Sequence, residues 1–94
     1  MTKWHVPQDR GLSWYERDGE AVVFNASSGR SHFLNAMTNE VLHYLEEEGP
    51  RDSDEIEAHI RSIVCEAEMP NLDQQVRGIV NGFLKQGLVD PWQG

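Results

Sequence analysis

The sequence predicts an α+β domain: a three-stranded antiparallel sheet followed by a three-helix bundle. Three observations carry that expectation. Apolar residues alternate in short runs only as far as Leu34. The connections between those runs are too short for parallel crossovers. Beyond Asn35 the apolar spacing changes to the helical period and keeps it to the end of the chain.

Each element has a local cause. Leu12 to Arg17 reads as the first strand. Asp18-Gly19 follows it, and that dipeptide between apolar runs signals a two-residue hairpin turn. Glu20 to Asn25 is the second strand, Ala26-Ser27-Ser28-Gly29 a turn, and Ser31 to Leu34 the third strand, so the sheet is expected over about 12–34. Trp4-His5-Val6 is an edge piece limited by Pro7. The first helix is expected over 36–47, opened by Asn35, with Met37, Val41, Tyr44 and Leu45 on one face and Gly49-Pro50 at its end. The second is expected over 53–69. Asp52 and Glu55 form a capping box, Ile56, Ile60, Ile63, Val64 and Ala67 make its stripe, and Pro70 stops it. The third, over 71–86, is capped by Asn71, carries Leu72, Val76, Ile79, Val80 and Phe83, and ends at Gly87. Leu88 and Val89 return to the core. Three strands before three helices give a winged-helix-like order.

Composition narrows the function. A chain of 94 residues makes one domain over 1–94, with a modest core and little room for an enclosed active site. The net charge of −8 and the scatter of Lys3, Arg10, Arg17, Arg30, Arg51, Arg61, Arg77 and Lys85 argue against nucleic acid and favour a basic partner. One cysteine excludes an internal disulfide framework and fits a reducing compartment. The N-terminus has no apolar run of signal or membrane length, so a soluble cytoplasmic protein is expected.

No catalytic constellation stands out. His5, His32, His43 and His59 show no helical metal spacing, so no metal or other cofactor is expected. Cys65 is expected to face outward, beside Glu66 and Glu68, which disfavour a thiolate. Glu46-Glu47-Glu48 reads as a solvated helix end, or as a landing patch for a basic partner. Gly78 and Gly82 are interior to the third helix and share a side with Gln75 and Lys85, away from Val80 and Leu84. Each interior glycine costs about 1 kcal/mol relative to alanine. Either tight packing inside the domain or a trough for another backbone explains them. If the trough faces the third strand, an extended peptide would pair with the strand edge and lay apolar side chains beside the helix, with Phe33, Leu34, Ile79 and Phe83 as walls.

The order of these pieces resembles the PqqD-like peptide chaperones, also called precursor recognition elements of ribosomally made, modified peptides. The matching residues are Trp14 in its strand, Ala21-Val22-Val23-Phe24-Asn25, the Asn-x-x-Ser-Gly turn, His32-Phe33-Leu34-Asn35, Val41-Leu42, and Leu72 through Gly87-Leu88-Val89. The Trp-rich N-terminus and the stretch from Gly19 to Asn35 look most like the branch found beside HPr-kinase-related proteins of bacteria. The resemblance implies no enzyme activity. It implies binding of a precursor's leader segment and its presentation to a modifying enzyme, with an HPr-kinase-related protein as the candidate. The contacts it implies are Ser31, His32, Phe33 and Leu34 on the strand, and Gln75, Val76, Ile79, Gly82 and Phe83 on the helix. Gln75 stands where PqqD proper often has an acidic residue, which removes one salt bridge to the leader. A winged-helix nucleic-acid binder and a plain protein–protein or homodimerisation domain are the alternatives.

Overall fold

The computed structural model describes residues 2–63 and 71–92. The elements run β1 (Lys3–His5), a 3-10 turn (Gln8–Arg10), β2 (Leu12–Arg17), β3 (Glu20–Asn25), β4 (Arg30–Leu34), α1 (Ala36–Glu48), β5 (Arg51–Asp52), α2 (Ser53–Ile63), α3 (Leu72–Lys85) and β6 (Asp90–Pro91). The expected meander is present, with strand order β2-β3-β4 and antiparallel pairing throughout. Asp18 and Gly19, both at positive φ, close the first hairpin, with Arg17 opposite Glu20.

The sheet count differs from the expectation. A second three-stranded sheet has order β5-β1-β6. The N-terminal piece is its central strand and pairs antiparallel with both neighbours, so it is no edge of the meander. Its partners are two-residue strands far apart in sequence, joined further by the Trp92 N–H donating to Lys3 O at 2.7 Å. Trp4 packs against the core, while Trp92 stays 47% exposed, edge-on to His5.

The helix ends follow local chemistry. Asn35 Oδ1 accepts from Thr38 N at 2.9 Å. Asp52 and Glu55 bond reciprocally, with Glu55 N donating to Asp52 Oδ1 at 2.9 Å and Asp52 N to Glu55 Oε1 at 3.1 Å. Asn71 adopts φ +64° and its side chain caps nothing, contrary to the expected cap; its carbonyl accepts from Gln75 N. α3 ends in a Schellman arrangement. Gly87 N donates to Leu84 O and Leu88 N to Phe83 O, with Gly87 at φ +75°.

One apolar cluster joins the elements: Val23 and Leu34 of the meander, Val41, Leu42 and Leu45 of α1, Ile56 and Ile60 of α2, Val76, Val80 and Phe83 of α3, then Leu88 and Val89. On α1 the buried face is rotated from the expected one. Leu42 and Asn39 are inside, and Met37 and Tyr44 are half-buried. On α2, Ile63 belongs to the expected stripe yet is 49% exposed. Val64, Ala67 and Cys65 lie outside the described residues, as does the expected end of that helix.

Asn25 ends β3 with its side chain fully buried. Its Oδ1 accepts from Ser27 N at 2.9 Å, and its Nδ2 donates to Gly87 O at 3.4 Å. Arg10 Nε donates to the same carbonyl at 2.8 Å, and its guanidinium pairs with Asp90. Asn25→Ala removes two hydrogen bonds, leaving Ser27 N only Arg10 O at 3.2 Å and Gly87 O only Arg10. At about 0.5–1.5 kcal/mol each it should lower unfolding free energy by about 1–3 kcal/mol, read as a reduced denaturant midpoint with an unchanged slope.

Candidate functional site

The candidate site starts from one strand. β4 pairs with β3 on one side, and among the described residues nothing pairs with its other edge. Successive side chains on a strand alternate faces. Leu34 lies opposite Ala21 and His32 opposite Val23, which puts both on the inner face. Phe33 lies opposite Val22 and Ser31 opposite Phe24, on the outer face. Leu34 is 2% exposed and Phe33 66%. The two expected apolar walls on this strand therefore point in opposite directions. His32 is half-buried, and its Nε2 is closed to water without a partner.

On α3 the five expected residues divide again. Val76 and Phe83 belong to the core, with Leu34. Gln75 is exposed, while Ile79 and Gly82 are half-buried along one flank of the buried stripe. α3 packs most closely on α2, and β4 on β3 and α1. Side chains from Ser31, His32, Phe33, Gln75 and Ile79 reach the surface. Those of Leu34, Val76 and Phe83 do not, so they support the surface from beneath. A Cβ built on Gly78 or Gly82 meets nothing within 4 Å. Packing inside the domain therefore does not explain these glycines, and the space beside them is open.

The outer face of the meander carries a feature absent from the sequence reading. Tyr15, Val22 and Phe33 occupy one cross-strand row, and all three are exposed, with Phe24 beside them. The period-2 pattern holds the signal, because β3 places apolar residues on both of its faces. A shallow cleft of about 220 Å³ borders Tyr15, Arg17, Val22 and Phe33.

A polar cluster ties the first hairpin to α1. Asn39 Nδ2 donates to Glu16 Oε1 at 2.9 Å and to Gly19 O at 3.0 Å. His43 Nε2 lies 2.7 Å from Glu16 Oε1 and its ring stacks on Trp14, whose Nε1 donates to Glu46 Oε2 at 3.0 Å. His59 stacks on Tyr44 and bonds Glu40. These partners are 15 to 32 residues apart, so no local spacing announced them. The hydrogen bonds from Asn39 and then His43 hold the Glu16 carboxyl below its ordinary value. Among the described residues, no three His, Cys, Asp or Glu side chains converge as metal ligands would, and no helix is long and apolar enough to cross a membrane.

No protein-family model matches the chain, and no curated protein shows a significant match. Its fold is that of two solved chains. The structure described as TbiB1 in complex with the TbiA(beta) leader peptide superposes with TM-score 0.73 at 18% identity, over 96% of this chain and 99% of that one. A lasso peptide synthetase B1 complexed with the leader peptide superposes with TM-score 0.68 at 16% identity, over 94% and 98%. The class the fold defines is therefore the small α+β architecture shared with these B1 chains.

Two outcomes follow. Gly78→Ala and Gly82→Ala should each raise unfolding free energy by about 0.5–1 kcal/mol in the free protein, since only helix propensity changes; thermal melts measure it. For Glu16, a lowered native pKa means its contribution is complete above about pH 4.5 and fades as pH falls through the depressed value. The gap in denaturant midpoint between the wild type and Glu16→Gln should be widest near neutrality and shrink in acid.

Proposed function

We propose that the chain is a non-catalytic adaptor. It binds the leader segment of a ribosomally made precursor peptide by strand addition and presents it to a modifying enzyme. The observation that carries this is the free edge of β4, in a chain whose fold over nearly its whole length is that of two chains solved with leader peptides. The mode follows from sheet physics. An unpaired edge offers a row of backbone donors and acceptors, which give affinity, while side chains at alternate positions give selectivity.

In this reading the leader's main chain pairs along Ser31, His32, Phe33 and Leu34. His32 turns its ring to the inner face, where Nε2 is buried without a partner. Gln75, Ile79 and Gly82 form the helical side, with open space at the two glycines, and Val76 and Phe83 hold that side in place. An HPr-kinase-related protein is the candidate enzyme partner, in a bacterial cytoplasm. A nucleic-acid role finds little support in a helix whose basic residues are only Arg77 and Lys85 on a chain of net charge −8.

Titrating ¹⁵N-labelled protein with synthetic leader segments of the precursor encoded beside its gene should shift the amides of residues 31–34 and 75–83 most. Shifts confined to α1 and α2 would overturn the site. Gly82→Leu should weaken leader binding at least tenfold, about 1.4 kcal/mol, with the melting temperature kept or raised. Unchanged affinity in that variant would remove α3 from the site.

A further inference from the structure

β4 turns two particular residues to its free edge. In an antiparallel ladder, directly opposed residues alternate between pairs that exchange both backbone hydrogen bonds and pairs that exchange none. The two-residue turn at Asp18-Gly19 makes Arg17–Glu20 an exchanging pair. By alternation, so are Tyr15–Val22 and Ser13–Phe24. The Ala26 N–H, donating to Gly11 O at 3.3 Å, continues the same series. On β3, Ala21, Val23 and Asn25 therefore send their backbone groups the other way, to Leu34, His32 and Arg30. The N–H and C=O groups of β4 that point to the open edge are then those of Ser31 and Phe33.

The same two residues carry their side chains on the outer face, where opposed residues fall into cross-strand rows. One row is Tyr15, Val22 and Phe33, all exposed and none charged. The next is Ser13, Phe24 and Ser31, small and polar where it reaches β4. Phe33, 66% exposed, ends the apolar row at the open edge. A strand that bonds to Phe33 lengthens that row by one member, because directly opposed Cβ atoms lie about 4.5–5.5 Å apart.

We propose that the leader residue bonded directly to Phe33 carries a large apolar side chain, aromatic or β-branched, and that the adaptor selects it on the outer face of the meander, away from α3. This rests on the strand-addition reading of the β4 edge. The row itself runs aromatic, β-branched, aromatic, and pairs of those kinds are among the ones that stabilise neighbouring strands. An apolar side chain covers ring surface that Phe33 leaves to water. A carboxylate in its place gives up water without gaining a partner. Opposite Ser31, two residues along the leader, no such demand exists. The leader strand is then read from both sides, by the flank of α3 on one face and by Phe33 on the other.

The test uses the full chain and the synthetic, fluorescently labelled leader segment of the precursor encoded beside its gene, with alanine placed at each leader position in turn. Truncation at one apolar position should cost about fivefold in affinity, the upper range for a cross-strand pair, and that residue should give intermolecular NOEs to the Phe33 ring. Phe33→Ala should weaken the intact leader by a similar factor. Phe33→Thr, which keeps the strand preference, should do the same. In both variants the leader truncation should cost less than about twofold, whereas in Ile79→Ala it should keep its full cost. Tyr15→Ala, two strands from the edge, should bind the leader as the wild type does. An equal truncation cost in the wild type and both Phe33 variants overturns the proposal, as does coupling to Ile79 in place of Phe33. Either result with amide shifts at residues 31–34 leaves strand addition standing. A leader that binds away from residues 31–34 overturns both readings.

Discussion

The carbonyl of Gly87 is the point on which the arrangement turns. It follows a helix end that needs a residue at positive φ, and it accepts from Arg10 and Asn25 at once. Arg10 sits between β1 and β2, and Asn25 ends β3. Arg10 also pairs with Asp90, the first residue of β6 in the second sheet. One oxygen therefore fixes the end of α3 to the meander and to the terminal sheet together. Because Asn25 leads through the Ala26–Gly29 turn into β4, that bond also sets where the free edge stands relative to α3. Exposed ion pairs such as Lys3–Glu55 and Arg61–Glu57 have no comparable reach. They are each worth at most about 1 kcal/mol and join groups that are already neighbours.

The core supplies the drive to fold, and the polar contacts decide the arrangement. Val23, Leu42, Ile56, Val76 and Leu88 are essentially closed to water, and each such side chain contributes about 1.5–3 kcal/mol of burial. That term is non-directional. Many packings would hide the same residues. Asn25, Asn39 and Arg10 choose among them, since a buried polar group displaced from its partner costs about 1–3 kcal/mol. The β4 edge obeys a different economy. Among the described residues its outer edge has no strand partner, and amides left to water lose little by staying free. Exposed edges are commonly blunted by lysine, proline or a bulge. Between Ser31 and Leu34 there is neither lysine nor proline, so this edge lacks those safeguards.

Much of the fold was legible because its causes are local. Asp18-Gly19 dictates a two-residue turn, Asp52 and Glu55 cap each other's backbone three residues apart, and Gly87 ends a helix by its own φ. The second sheet was not legible. Residues 3–5, 51–52 and 90–91 become strands only by meeting, and two-residue segments carry no period. Phe33 and Leu34 show a different limit. The alternation that identified the strand also sends these neighbours to opposite faces. Treating both as walls of one groove set the apolar character of the pair above the geometry of the strand. The Trp14–His43 stack and the Asn39–Glu16 bond join positions 23 to 29 apart, so only the packed structure brings them together.

The division between helix interior and helix surface sharpens what the two glycines mean. Inside a packed domain, Gly78 and Gly82 would be explained by a neighbour that a methyl group strikes. Apart from the adjoining turns of the helix's own backbone, no atom lies within 4 Å of either missing methyl. The free protein gains nothing from them, and their propensity cost of about 1 kcal/mol each stands uncompensated. A marginally stable small domain has few kilocalories to lose this way. In the proposed leader complex the compensation comes from a chain lying against that flank of α3. The flank also holds half-buried Ile79, an apolar side chain packed on the core with one side open. Small residues beside a partly covered apolar one form a surface that a main chain can approach closely, which is where the proposed leader backbone would gain what the free helix forgoes.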